Sequence, residues 1–241
     1  VTPESAEQAR KAPLQLVAYE REQRDTGFYF LDHINREVKS LPGVLALTAS
    51  SATVRSTIHP QLQRATEAAL QEGLARYELS TGRAHFKAAE ANLAAAIQRI
   101  QGNPQASKAK PAWQQALQAA RLPLYDVHWS TAVVVQKGGR EGLKIGLEDG
   151  RVLPLSGATA AVQRNLKLHD VVLVRLTEGQ KPRAELRVRP LVQGAVIVLE
   201  NKSGRILAMA GGFSYPLSQV NRTTQTQRQP GSSFKPIVYA A

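Results

Sequence analysis

The chain has 241 residues, 43% of them hydrophobic, with a formal charge of +12 from 31 Lys and Arg against 19 Asp and Glu. That is enough apolar material for the core of one or two domains, and the lack of any cysteine excludes disulfide scaffolds, thiolate metal sites and cysteine nucleophiles. The charge suits anionic surroundings such as nucleic acid, a phospholipid surface or an acidic cell-wall polymer, or equally a solubilising surface, because the basic residues are scattered and form no tail. No stretch approaches the roughly 20 apolar residues that span a bilayer. The opening VTPESAEQARK lacks the apolar segment of a signal peptide, and both ends read as cut from a longer protein.

Residues 4–41 read as helix, most clearly where Phe30 or Leu31, Ile34, Val38 and Leu41 recur at spacings of three and four before Pro42-Gly43 stops the pattern. After the polar, β-branched stretch TASSATVRSTI comes HPQLQRATEAALQEGLARYE. There Pro60 suits a first helical position, and Leu62, Ala69, Leu70, Leu74 and Tyr77 form an apolar stripe. A second Ala-rich helix is predicted over about 85–101, with Phe86, Ala89, Leu93, Ile97 and Ile100 on one face. Gly102-Asn103-Pro104 ends it, and QASKAKPA follows as an exposed linker.

From residue 127 the period changes to that of strands. VHWSTAVVVQ, LKIGLEDGRVLPLSG folded at Asp149-Gly150, VVLVRLTEG and AELRVRPLV give four or five short strands, the mark of a small barrel of the OB type or of a plain antiparallel meander. A more apolar hairpin, GAVIVLENKSGRILAMAGG, turns at Asn201-Lys202-Ser203-Gly204, and the shift in composition near Gln193 is the clearest domain boundary. Trp113 and Trp129 are expected to pack at the border between linker and barrel.

The chain ends in RQPGSSFKPIVYAA, where Ser232 and Lys235 form a Ser-x-x-Lys pattern. That pattern is weak alone, since Ser107 to Lys110 repeats it in a polar linker without support. Pro230-Gly231 and Pro236 start a helix close to Ser232, and positions i and i+3 share a face, bringing Lys235 to the hydroxyl. A serine requires a base to become a nucleophile, and the start of a helix offers N–H groups to an oxyanion. The competing reading is that Ser232 is a helix cap. Arg222 and Arg228 either position a substrate or structure the preceding loop. His33, His59, His85, His128 and His169 show no metal-ligand spacing, and no glycine-rich loop has phosphate-binding spacing.

The stretch VQGAVIVLENKSGRILAMAGG…SQVNRTTQTQRQPGSSFKPIVYAA resembles the opening of the transpeptidase domain of class A penicillin-binding proteins, with apolar hairpin, Gly-Gly, Asn-Arg and R-Q-P-G-S-x-x-K-P in order across residues 192–241. VRSTIHPQLQRATEAAL resembles that family's linker phrase, and the strands of 127–192 look like its OB-like insert. His59 stands where the family usually has Asp, His169 where it has Gly, Val220 where it has Phe and Thr223 where it has Ala. None of these touches Ser232 or Lys235.

The resemblance implies an α+β chain with a helical linker (1–126), a small antiparallel OB-like β-barrel (127–192) and the first hairpin and Ser-x-x-Lys helix of an incomplete serine transpeptidase domain (193–241). It implies a peptidoglycan D,D-transpeptidase in which Ser232 attacks the D-Ala–D-Ala stem peptide and Lys235 takes its proton. It also implies acylation of Ser232 by β-lactam antibiotics, no metal or organic cofactor, and a parent protein at the periplasmic face of the inner membrane. A cell-wall regulatory protein could dock on the OB-like insert. The family's S-x-N and K-T-G elements do not occur in these residues, so the chain by itself is expected to be inactive. The rival reading, a basic OB-like module binding single-stranded nucleic acid, is weakened by the few aromatic residues in the strands.

Overall fold

The computed structural model describes residues 2–11, 25–40, 54–82, 86–103, 109–122, 124–138, 142–177, 179 and 182–240. Leu41, Pro42-Gly43, His85 and the Ser107 copy of Ser-x-x-Lys lie outside them. Among the described residues no helix is long and apolar enough to cross a membrane.

The predicted long first helix is seen as α1 (Pro3–Lys11) and α2 (Phe28–Ser40). Tyr29 and Phe30 are buried, Ile34 and Val38 half-buried, and Leu31 exposed. α3 (Pro60–Ser80) starts as expected, with Pro60 in its first turn and His59 as N-cap. The His59 Nδ1 accepts from the Leu62 N–H at 3.3 Å, so an imidazole does what a carboxylate would do there. The buried face of α3 differs from the prediction. Gln63, Thr66, Glu67, Gln71, Ala75 and Glu78 are buried, whereas Leu62, Leu70 and Leu74 are half-buried and Ala69 and Tyr77 exposed.

The Ala-rich segment also departs from expectation. Residues 86–93 are not helical, β1 (Ala91–Asn92) is laid on the barrel, and only α4 (Ala94–Gln101) is helical. Asn92 breaks the predicted helix: its Oδ1 accepts from Ala94 N–H, and its Nδ2 donates to Asp170. α5 (Ala112–Ala119), which the sequence reading did not anticipate, lays Trp113, Ala116 and Leu117 on the barrel wall. A Cβ at Gly146 would come within 2.4 Å of the Trp113 ring, so the indole fits only over a glycine.

The strands β2 (Ser130–Gln136), β3 (Lys144–Leu147), β4 (Val152–Ser156), β5 (Asp170–Thr177) and β6 (Arg183–Arg187) close in the order β2-β3-β4-β6-β5 and back to β2. All pairs are antiparallel except β4 with β6, and α6 (Ala160–Asn165) bridges β4 to β5. This is the OB barrel, and closure rules out the meander. Ala132, Val134, Ile145, Leu166, Val172, Val174 and Ala184 fill the inside. Val133, Val171 and Leu173 point outward and are covered by α4, α5 and Phe213, which is why VVLVRL reads as a continuous apolar run. His169 enters β5 with φ of +67°, where a glycine is the easier residue. A separate two-stranded sheet, β7 (Val196–Leu199) with β8 (Ile206–Ala210), turns at residues 200–205.

Candidate functional site

The segment that carries Ser232 is built outward from the free edge of β8. His59 N–H donates to Leu207 O, and Thr57 Oγ1 to Ile206 O. Gln63 then grips Met209 twice at 2.8 Å, its Oε1 accepting from the N–H and its Nε2 donating to the C=O. A glutamine side chain thus stands in for a neighbouring strand. Gln71 Nε2 donates to Asp126 O and Phe213 O while its Oε1 accepts from His128 N–H, and Glu78 accepts from Leu191 N–H and Val192 N–H. Glu67 accepts four hydrogen bonds, from Thr26 Oγ1, Gly27 N–H, Gln63 Nε2 and His128 Nε2. Glu72 pairs with Arg175 and with the buried Arg187. Among the described residues no buried side-chain polar atom lacks a hydrogen-bond partner.

Beyond β8, Gly211-Gly212 meets Asn221-Arg222. A Cβ on Gly211 would lie 2.4 Å from Asn221 Oδ1, and one on Gly212 would lie 2.4 Å from the Tyr29 hydroxyl oxygen and 2.9 Å from Arg222 NH1. The two motifs therefore need each other. Asn221 is buried: its Oδ1 accepts from Thr223 N–H and Oγ1, its Nδ2 donates to Met209 Sδ and Tyr29 O, and its own N–H donates to Gln225 Oε1. Arg222 donates from its backbone and NH1 to Gly211 O and from NH2 to Ser218 Oγ. Of the two roles open for Arg222, this is the structuring one. Asp126 accepts from Ser214 Oγ at 2.7 Å and Tyr215 N–H at 2.6 Å. Burial raises its pKa, although those two bonds pull it down.

Pro230 precedes a 3-10 turn, Gly231–Phe234, that runs into α7 (Lys235–Ala240). Ser232 lies inside this turn, whose N-cap is Pro230, so the cap reading does not hold. The Lys235 N–H donates to Ser232 O, placing the two residues one short turn apart. Both side chains are exposed, and among the described residues neither has a hydrogen-bond or ion-pair partner. Phe234, Ile237, Val238 and Tyr239 are exposed too, Tyr239 at 81%. The described residues therefore form no apolar enclosure around Lys235. Arg228 is likewise exposed and, among the described residues, holds nothing.

Comparison with known proteins places the site beside one family. Residues 194–241 match the model of the penicillin binding protein transpeptidase domain. The chain is 28% identical over its whole length to penicillin-binding protein 1A of Rickettsia typhi and 36% identical over 49% of its length to that of Neisseria flavescens. Over its whole length the chain is similar to class A penicillin-binding proteins. A crystal structure of penicillin-binding protein 1A from Haemophilus influenzae has the same fold over the whole chain, with a TM-score of 0.60 at 22% identity. The chain spans 29% of the Rickettsia protein and 33% of the Haemophilus chain. The penicillin-binding motifs Gly-Gly and Asn-Arg, read in the sequence as a string, are here one locked contact. Tyr29, Gln63, Gln71 and Asp126, which hold that contact and the hairpin in place, went unread in the sequence.

Proposed function

We propose that this chain is the linker, OB-like insert and opening strands of a peptidoglycan D,D-transpeptidase with Ser232 as nucleophile and Lys235 as base. The observation that carries the reading is the delivery of Ser232 and Lys235 on one short turn, directly after the locked Gly-Gly and Asn-Arg contact, within the matched residues 194–241.

Ser232 Oγ attacks the carbonyl carbon of the penultimate D-Ala, and its proton passes to Lys235 Nζ. The oxyanion is held by the Ser232 backbone N–H and a second donor outside these residues. The C–N bond then breaks, Lys235 returns the proton to the leaving D-Ala amine, and Ser232 is left as an ester. An amine of a neighbouring stem attacks that ester, regenerating Ser232 and forming the cross-link. A β-lactam acylates the same oxygen and departs slowly. Lysine serves as the base only when its ammonium is destabilised, and the remaining two-thirds of a protein as long as its relatives would supply that enclosure. Such a protein works at the periplasmic face of the inner membrane, with the OB barrel free to dock a cell-wall regulatory protein.

The test is covalent labelling by fluorescent penicillin of a protein carried to the length of its relatives. Ser232→Ala is expected to abolish labelling, and undiminished labelling of that variant removes the assignment.

A further inference from the structure

We infer that Tyr29, on α2 of the helical linker, is a positioning residue for Ser232, acting through the loop 211–226; the inference rests on the transpeptidase reading above.

Between the last bonded residue of that loop and the turn that holds Ser232 there is little to fix the chain. Thr226 Oγ1 donates to Arg222 O and Gln225 N–H to Asn221 O, whereas residues 227–230 are exposed and the turn's own bonds run within Pro230–Lys235. Among the described residues, Ser232 is joined to the packed part of the molecule along the chain through this loop. Its own geometry depends on Tyr29, which is 3% exposed. The Tyr29 hydroxyl donates to Ser218 O at 2.7 Å, and its ring meets Tyr215 edge-on with centroids 5.2 Å apart. Its backbone carbonyl accepts from Asn221 Nδ2. The phenol oxygen also occupies the space that any side chain on Gly212 would need. One residue from more than 180 positions upstream thus touches the Gly-Gly, the Asn-Arg and the strand of loop between them.

Catalysis by an oriented nucleophile is sensitive to displacements of about 1 Å, which reduce rate by about 100-fold without abolishing binding. Tyr29→Phe keeps the ring packing and removes only the hydroxyl that fixes Ser218. In the protein carried to the length of its relatives, time courses at several penicillin concentrations separate the affinity of the first complex from the acylation rate. The expected result for Tyr29→Phe is acylation slowed about tenfold with the affinity of the first complex within about twofold and the melting temperature close to parental, a split that loss of folded protein would not produce. Gly212→Ala attacks the same contact from the other side. Because Tyr29→Phe removes the nearest atom that the new methyl would strike, leaving Arg222 NH1 at 2.9 Å, the double variant should acylate faster than the product of the two defects.

Tyr29→Phe acylating at the parental rate, in a protein whose parent is labelled at Ser232, overturns the positioning role alone. A double variant that shows the product of both defects overturns it as well. A parent that is not labelled at Ser232 overturns the transpeptidase reading and takes the positioning role with it.

Discussion

The barrel and the α3 junction are held together by opposite means. Inside the barrel, side chains such as Val134, Ile145, Val172 and Val174 bury apolar surface against one another, and the strands satisfy their own backbone groups. At the junction the buried face of α3 is polar. Gln63, Gln71 and Glu78 each reach main-chain groups of Met209, Phe213, Leu191 or Val192 that no strand pairs with. A sheet two strands wide has free edges, and its backbone must be satisfied by something when it is covered. A helix cannot offer its own backbone, so it offers side chains. The lesson is that burial alone does not imply an apolar stripe where a helix covers a sheet edge.

The comparison can be broken first in the barrel. Ile145 is fully buried, and Ile145→Ala should cost about 3 kcal/mol of unfolding free energy through lost transfer energy and a residual cavity, read by urea denaturation. The sharper test is Gln63→Leu at the junction. On apolar patterning that change improves a buried position. By the contacts present it strips the Met209 N–H and C=O of their partner and should cost about 2 kcal/mol, because a buried polar group left unmade bears its whole desolvation. A neutral or stabilised Gln63→Leu would mean that the junction is an ordinary apolar contact.

The same contrast explains what was legible in the sequence. The strands of 130–187 alternate or run apolar, the Asp149-Gly150 turn is explicit, and the barrel follows from them. The start of α3 was legible from Pro60 and its cap. Its buried face was not, because glutamine and glutamate at positions 63, 67, 71 and 78 look like any solvated helix until the backbone they grip is known. Residues 86–93 were misread for a related reason: helix propensity in an Ala-rich run yields to pairing with β5 and to the local bonds of Asn92. At the candidate site, the turn bearing Ser232 and Lys235 was legible from its prolines, while the contribution of Tyr29 lies too far away in the chain for spacing to reveal.

An ion pair lies between these extremes. Glu72 is partly exposed, and although burial raises its pKa, the hydrogen bonds and charges of Arg187 and Arg175 outweigh burial and hold it below the usual carboxylate range. Glu72→Gln keeps the shape, removes the charge, and should cost about 1.5 kcal/mol at neutral pH, less than the roughly 3–5 kcal/mol for stripping one partner of a fully buried pair. The pH dependence has a definite sign. A lowered folded-state pKa contributes stability that is complete above the unfolded value of about 4.3 and is lost as pH falls through the folded value. Melting temperatures of parent and variant should therefore converge as pH is lowered below about 4. A constant gap down to low pH would show that charge is not what Glu72 contributes.

The smallest expected effect tests the flank of the buried face of α3. Tyr77 belongs to the apolar stripe that the sequence offers as the buried face, yet it is 51% exposed. Serine and tyrosine have nearly equal helix propensity, so Tyr77→Ser changes little besides the ring. If the polar face is what binds α3 to the molecule, thermal or urea unfolding should move by no more than about 0.5 kcal/mol, as for other surface substitutions. A loss as large as that of Gln63→Leu would place the ring in a buried contact and show that the apolar stripe, too, binds α3. The two substitutions are nearly four helical turns apart and so lie within about 40° of each other around the helix axis, and their opposite polarity makes the pair a direct reading of whether polar grip or apolar contact holds α3 in place.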